Sequence, residues 1–312
     1  MRLARIFVLL AFKIALLAPT PVLAGWRTLE PMDAARAGLA AAALDGIIYV
    51  AGGRGLTGPR DVFESFNPKS GAWTPLPSLP QATSDMGMTA ARGSVFVAGG
   101  LTEKAQATAN FWIFQPEAGR WQRGPAMPAA RAYPTLVAQG DRLYVVGGKG
   151  ANAERVFVYD LNAGAWRVGK SPMPRPRAQA AAAALGSLIY VVGGRDAQGR
   201  TSAAVDVFDP AAGRWQKGPD LPSARSSLTA ATLGGKLHVA GGERLDPLKT
   251  FADHLVLDAT KSVWTAATPM SVPRSSLASA VAGGAWYLVG GGNGAGVFTN
   301  FTAADTVEVY RP

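Results

Sequence analysis

The chain has 312 residues, 48% of them apolar and 17% charged, which is enough for one large domain or two ordinary ones. It contains no cysteine, which excludes a disulfide framework, a thiolate metal site, a cysteine nucleophile and a lipid attached to an N-terminal cysteine. Thirty-one basic residues against 21 acidic ones give a net charge of +10; this favours anionic partners, while the lack of any long basic run argues against a nucleic-acid arm.

Residues 1–24 have the plan of a secretory leader. Arg2 and Arg5 make a basic start, Ile6 to Leu17 is mostly apolar, and Val22-Leu23-Ala24 offers the small residues that a signal peptidase prefers. Cleavage before Gly25 is expected, with export to the periplasm or the extracellular space. Lys13 interrupts an apolar run already shorter than the ~20 residues of a spanning helix, so no membrane span is expected after cleavage. Without Arg2, Arg5 and Lys13, 28 bases face 21 acids, and the mature chain stays basic.

From Gly25 onward the sequence repeats. Apolar runs such as IIYVAGG, SVFVAGG, RLYVVGG, LIYVVGG, KLHVAGG and AWYLVGG end in glycine pairs that begin at Gly52, Gly99, Gly147, Gly193, Gly241 and Gly290, in steps of 46 to 49 residues. Trp73, Trp121, Trp166, Trp215 and Trp264 each lie seven residues after Phe66, Phe114, Tyr159, Phe208 and Leu257. Arg36, Arg131, Arg177, Arg225 and Arg274 each stand sixteen residues before a glycine pair, with Thr83 at that place in the second copy. Three markers in phase, at a period near 50, resemble the kelch repeat over essentially all of residues 25–312. The resemblance implies an all-β fold, a six-bladed kelch-type β-propeller with four strands, a to d, in each blade.

Within that frame, strand a follows the arginine, strand b runs into the glycines, strand c carries the aromatic and strand d the tryptophan. The alanine-rich runs at 37–44 and 178–185 would favour helix in isolation. Crowding near the propeller axis makes them inner strands instead. The sixth unit stops two residues past its aromatic, at Tyr310-Arg311-Pro312, without a strand d of its own. Trp26, in GWRTLEPM, supplies a spare one, so the last blade is expected to close with the N-terminal strand and leave no open sheet edge.

Catalytic material is sparse. His238 takes the place of an aromatic in strand b, and His254 opens a strand c; two lone histidines make no metal or catalytic site. Gly53, Gly55 and Gly58 match a dinucleotide fingerprint, but a strand follows where a helix should. Asp160, Asp209 and Asp258 recur just after strand c as turn residues. No cofactor is expected. The enzyme branches of kelch-like propellers include copper oxidases that depend on a cysteine, which is lacking here, and exported sialic acid mutarotases, similar in fold, size and export alone.

The expected working surface is the face that carries the d-to-a and b-to-c loops. It should present Arg131, Arg177, Arg225 and Arg274, the unphased Arg54, Lys149 and Arg195, and the polar Tyr133, Ser226, Ser227, Ser275 and Ser276. The phased arginines have a competing reading as braces between blades. The function expected is binding of an anionic small molecule or an acidic protein segment on this face, without catalysis. The alternative is a carbohydrate isomerase or mutarotase acting on an acidic sugar such as a sialic acid, with Glu243 or Asp196 as acid/base candidates beside an arginine.

Overall fold

A computed structural model describes residues 25–312; the leader expected over residues 1–24 lies outside the described residues. Six four-stranded antiparallel sheets follow one another along the chain. Their first strands are Ala40–Leu44, Gly87–Ala91, Thr135–Gln139, Ala181–Leu185, Thr229–Leu233 and Ala278–Ala282. All six line one shared cavity of about 250 Å³, the channel on the axis of the ring. The small side chains of Ala41, Ala182, Ala183 and Ala280 let the six backbones converge there. Tertiary crowding has overridden helix propensity.

The glycine pairs explain how one blade joins the next. In each pair both glycines have positive φ, from 58° to 68° at the first and 90° to 105° at the second. A Cβ on the first would meet the carbonyl oxygen of the phased arginine position of the next blade, as with Gly99 and Arg131 or Gly193 and Arg225 (2.5 Å each). The second glycine donates its N–H to that same carbonyl, at 2.8 to 3.0 Å in all six blades. Only glycine combines this backbone conformation with so close an approach.

The phased tryptophans lock the outer strands. Trp73, Trp121, Trp166 and Trp264 donate their indole N–H to Glu30, Pro77, Pro125 and Pro219, carbonyls on the linker that leaves the preceding blade. Trp26 does the same to Thr268, which confirms it as the outer-strand tryptophan of the sixth blade. Trp215 of the fourth blade is the exception, with a buried and unpartnered N–H. The preceding outer strand, Ala165–Pro172, is eight residues long where the others have four or five, so its linker follows a different course.

Ring closure follows the expected plan. The sixth sheet consists of Ala278–Ala282, Ala285–Val289, Val307–Arg311 and Gly25–Leu29. The N-terminal strand pairs antiparallel with the last one, from Gly25 opposite Arg311 to Leu29 opposite Val307. No blade is left with a free outer edge in place of a missing strand.

Candidate functional site

The face that carries the b-to-c loops is organised by one residue per blade. Gly38, Asp85, Tyr133, Gln179, Ser227 and Ser276 stand two positions after the phased arginine position, and all six have φ between 52° and 62°. This left-handed conformation costs a side-chain-bearing residue free energy. It turns each peptide toward its neighbour around the channel mouth. Asp85 donates its N–H to Gly38 (2.7 Å), Tyr133 to Asp85 (2.9 Å), Ser227 to Gln179, Ser276 to Ser227 and Gly38 to Ser276 (2.8 Å each). The sixth link, from Gln179 N–H to the Tyr133 carbonyl, is not made.

Outside this ring lies a second one. The residue after each glycine pair forms a backbone bridge with the residue that follows its own blade's phased arginine position, as Arg54 does with Ala37, Lys149 with Ala132, Arg195 with Ala178 and Glu243 with Ser226. Its side chain then meets the start of the following blade. Arg54 donates to Ser84 Oγ (2.7 Å) and pairs with Asp85. Arg195 donates to Ser226 Oγ (2.9 Å) and pairs with Glu243. Glu243 is buried and also accepts from Ser227 Oγ (3.0 Å), Ser275 Oγ (3.3 Å), Thr299 Oγ1 (3.2 Å) and the Gly296 N–H (2.7 Å). That set of bonds ties the fourth, fifth and sixth blades together.

Lys149 breaks the pattern. The position that offers a serine hydroxyl to Arg54, Arg195 and Glu243 is Ala178 at the start of the fourth blade. An alanine has nothing to give. Lys149 is exposed and, among the described residues, makes no ion pair, while Arg54 and Arg195 both do. Beside it opens a cleft of about 460 Å³ whose walls include Tyr133, Lys149, Gln179, Arg195 and Asp196. The gap in the inner ring, the free ammonium and the cleft coincide at the junction of the third and fourth blades.

Not all the residues expected on this face reach it. Arg54, Lys149, Arg195 and Tyr133 cluster around the mouth, whereas Ser226 and Ser275 are fully buried just beneath it, engaged by Arg195 and Glu243. Arg131, Arg177, Arg225 and Arg274 are buried beneath it, and each bonds to the first glycine carbonyl of its own blade. Arg177 and Arg274 pair with buried Asp206 and Glu308, while Arg131 and Arg225 lie over Phe157 and Phe251 at 3.9 and 4.0 Å. Burial lowers all four guanidinium pKa values, that of Arg131 to about 10. Their side chains brace the strands and loops of their own blade, and not neighbouring blades as expected from the sequence. Glu243, offered above as an acid/base group, is wholly occupied as a structural acceptor, and Asp196 caps a turn by accepting from Gln198 N–H, Arg200 N–H and Arg200 Nε.

Asp85 and Gln179 were not singled out from the sequence. Their signal was their place two residues past a phased arginine position. Burial pushes the Asp85 carboxyl pKa up, against the opposing pull of Arg54 and Ser84. It also raises the Tyr133 phenol, with the Asp85 charge adding to the effect.

A sequence model of the KLHDC2/KLHL20/DRC7 kelch-repeats domain matches residues 133–309, and the kelch-motif model matches residues 35–80 and 82–128. The chain belongs to the kelch-repeat family. Kelch-like protein 33 of Homo sapiens is 32% identical over 85 residues, a stretch that covers 27% of this chain and 16% of the human protein. Kelch propellers typically serve as binding scaffolds, and here the kelch frame puts a cleft with an unpaired lysine between blades three and four; a second cleft of similar volume, beside Arg60, lies on the first-blade side.

Proposed function

We propose that this kelch propeller is an exported binding protein that takes an anionic ligand on its loop face, in the cleft between the third and fourth blades, without catalysing a reaction. The observation that carries this reading is Lys149. It is an exposed cation with no carboxylate partner among the described residues, set at the edge of a 460 Å³ cleft that also contains Arg195 and Tyr133. A buried or half-buried cation satisfied by the protein's own carboxylate gains little from a second anion; a free one gains the whole interaction. Export rests on the composition of residues 1–24.

A second reading is favoured by Asp85. Its raised carboxyl pKa, beside Arg54 and Tyr133 at the channel mouth, is the kind of perturbation that acid/base catalysis uses. An isomerase acting on an acidic sugar would use this group rather than Glu243. The test is a thermal-shift titration of the protein with acidic and neutral sugars at fixed ionic strength. The binding reading expects a rise in Tm with acidic sugars that is lost in Lys149→Ala; no rise with any anion would overturn it. Faster sugar anomerisation, abolished in Asp85→Asn, would transfer the assignment to the enzyme reading.

A further inference from the structure

The mouth of the channel is closed by a ring of peptide hydrogen bonds with a single gap, and the gap has a chemical polarity. On the fourth-blade side is the N–H of Gln179; on the third-blade side is the carbonyl of Tyr133. The two residues have φ of 54° and 56°, the same conformation as Asp85, Ser227 and Ser276, whose N–H groups all point at the neighbouring carbonyl. Gln179 and Tyr133 therefore present a donor and an acceptor toward each other across the opening. Both line the cleft that holds Lys149. One further feature shows that this junction departs from the other five: the outer-strand Trp215 finds no acceptor for its indole N–H.

A ligand that satisfies the gap needs an acceptor for Gln179 N–H and a donor for the Tyr133 carbonyl, close together, with negative charge on the acceptor for Lys149. A bare carboxylate supplies the first and third but leaves the carbonyl unpaired. A hydroxyl on the carbon next to the carboxylate supplies the missing donor. We infer that the cleft selects small 2-hydroxy carboxylates, with the carboxylate held by Gln179 N–H and Lys149 and the 2-hydroxyl donating to the Tyr133 carbonyl. This rests on the anion-binding reading of the same cleft and adds the ligand class. A polar group left unpaired when the ligand covers it discriminates against the analogue that cannot bond to it, which is the physical source of the selectivity.

The experiment has two parts, both on the whole protein. Amide hydrogen exchange of the free protein should show the Gln179 N–H exchanging at least tenfold faster than the N–H groups of Asp85, Tyr133, Ser227 and Ser276; equal protection would mean that the ring is closed, and would overturn the inference. Titration then compares glycolate with acetate, lactate with propionate, and gluconate with 2-deoxygluconate. The hydroxy acid of at least one pair should bind tenfold or more tightly than its partner, slow the exchange of Gln179, and lose that effect in Lys149→Ala while Lys149→Arg partly restores it. If both members of every pair bind alike and depend on Lys149, the hydroxyl selectivity fails and anion binding stands. If none of the six binds to the native protein, both fail.

Discussion

Two arcs of the same channel mouth are built on one backbone plan and end up with different chemistry. From the fourth blade through the fifth and sixth, Arg195, Ser226, Ser227, Glu243, Ser275 and Thr299 satisfy one another around a buried carboxylate. Between the third and fourth blades, the equivalent positions hold Lys149 and Ala178, and no side-chain bond joins them. Arg54 and Arg195 find carboxylates in Asp85 and Glu243, whereas the corresponding places near Lys149 hold Gln179 and Arg195. The local change is small and its effect on the mouth is large, because a cation left without a carboxylate is available to a ligand.

The largest expected effect concerns the sealed side of the ring. Removing Gly25–Met32 strips the outer strand from the sixth blade, exposes the edge of Val307–Arg311 and deletes Trp26; the Tm should fall by more than 10 °C, and an unchanged melt would break the closure account. Next comes a pair of arginines. Arg274→Met leaves the buried Glu308 carboxylate without its partner and should cost about 3–5 kcal/mol in denaturant unfolding. Arg131→Met, on the open arc, leaves carbonyls but no charge and should cost about 1–3 kcal/mol. Equal losses would show that the carboxylate adds nothing.

A smaller effect depends on pH. His238 Nδ1 and His254 Nε2 lie 2.8 Å apart in the fifth blade, and His254 packs against Trp26 and Tyr310 of the closing blade. Burial, with the His238 charge adding to it, lowers the His254 pKa to about 4, and burial lowers that of His238 as well. Both rings are neutral in the folded protein near neutral pH, whereas the unfolded chain takes up protons from pH ~6.5 downward. The stability these rings contribute is present above pH ~6.5 and is lost as pH falls toward 4. That loss should amount to about 2–3 kcal/mol between those limits, and His254→Phe should flatten the slope. The smallest effect is that of Lys149→Ala, which should change unfolding free energy by less than about 0.5 kcal/mol, since the side chain is exposed and unpaired. A larger change would give Lys149 a structural role.

The propeller, its six blades and its closure by the Trp26 strand were legible because three markers recur in phase, and each marker turns out to serve a repeated contact. The glycine pair meets the next arginine's carbonyl, the arginine meets the glycine carbonyl, and the tryptophan bonds the linker of the preceding blade. The aspartates after strand c read correctly as turn residues, since Asp160 and Asp209 accept from backbone N–H groups two and three positions on. The mouth was only half legible. Arg54, Lys149 and Arg195 were placed on the right face, but whether a cation there is free depends on a residue about thirty positions later, at the start of the next blade. Asp85 and Gln179 share a backbone conformation and no residue type, so the repeat hides them. The histidines, separate in sequence, meet because strands b and c are neighbours.

The closing strand also fixes an order of events. Gly25–Leu29 leaves the ribosome first among the strands and waits for Val307–Arg311, roughly 280 residues later. At about 5–20 residues per second that interval is some 15–60 s. During it the first five blades acquire their strands in turn, while the strand with Trp26 stays an unpaired edge. The last pairing is also the most distant in sequence, and distant pairings form slowly. Ring closure is therefore the step at which a nascent chain is most exposed to pairing with the wrong edge, and the step whose rate a holding chaperone would most affect.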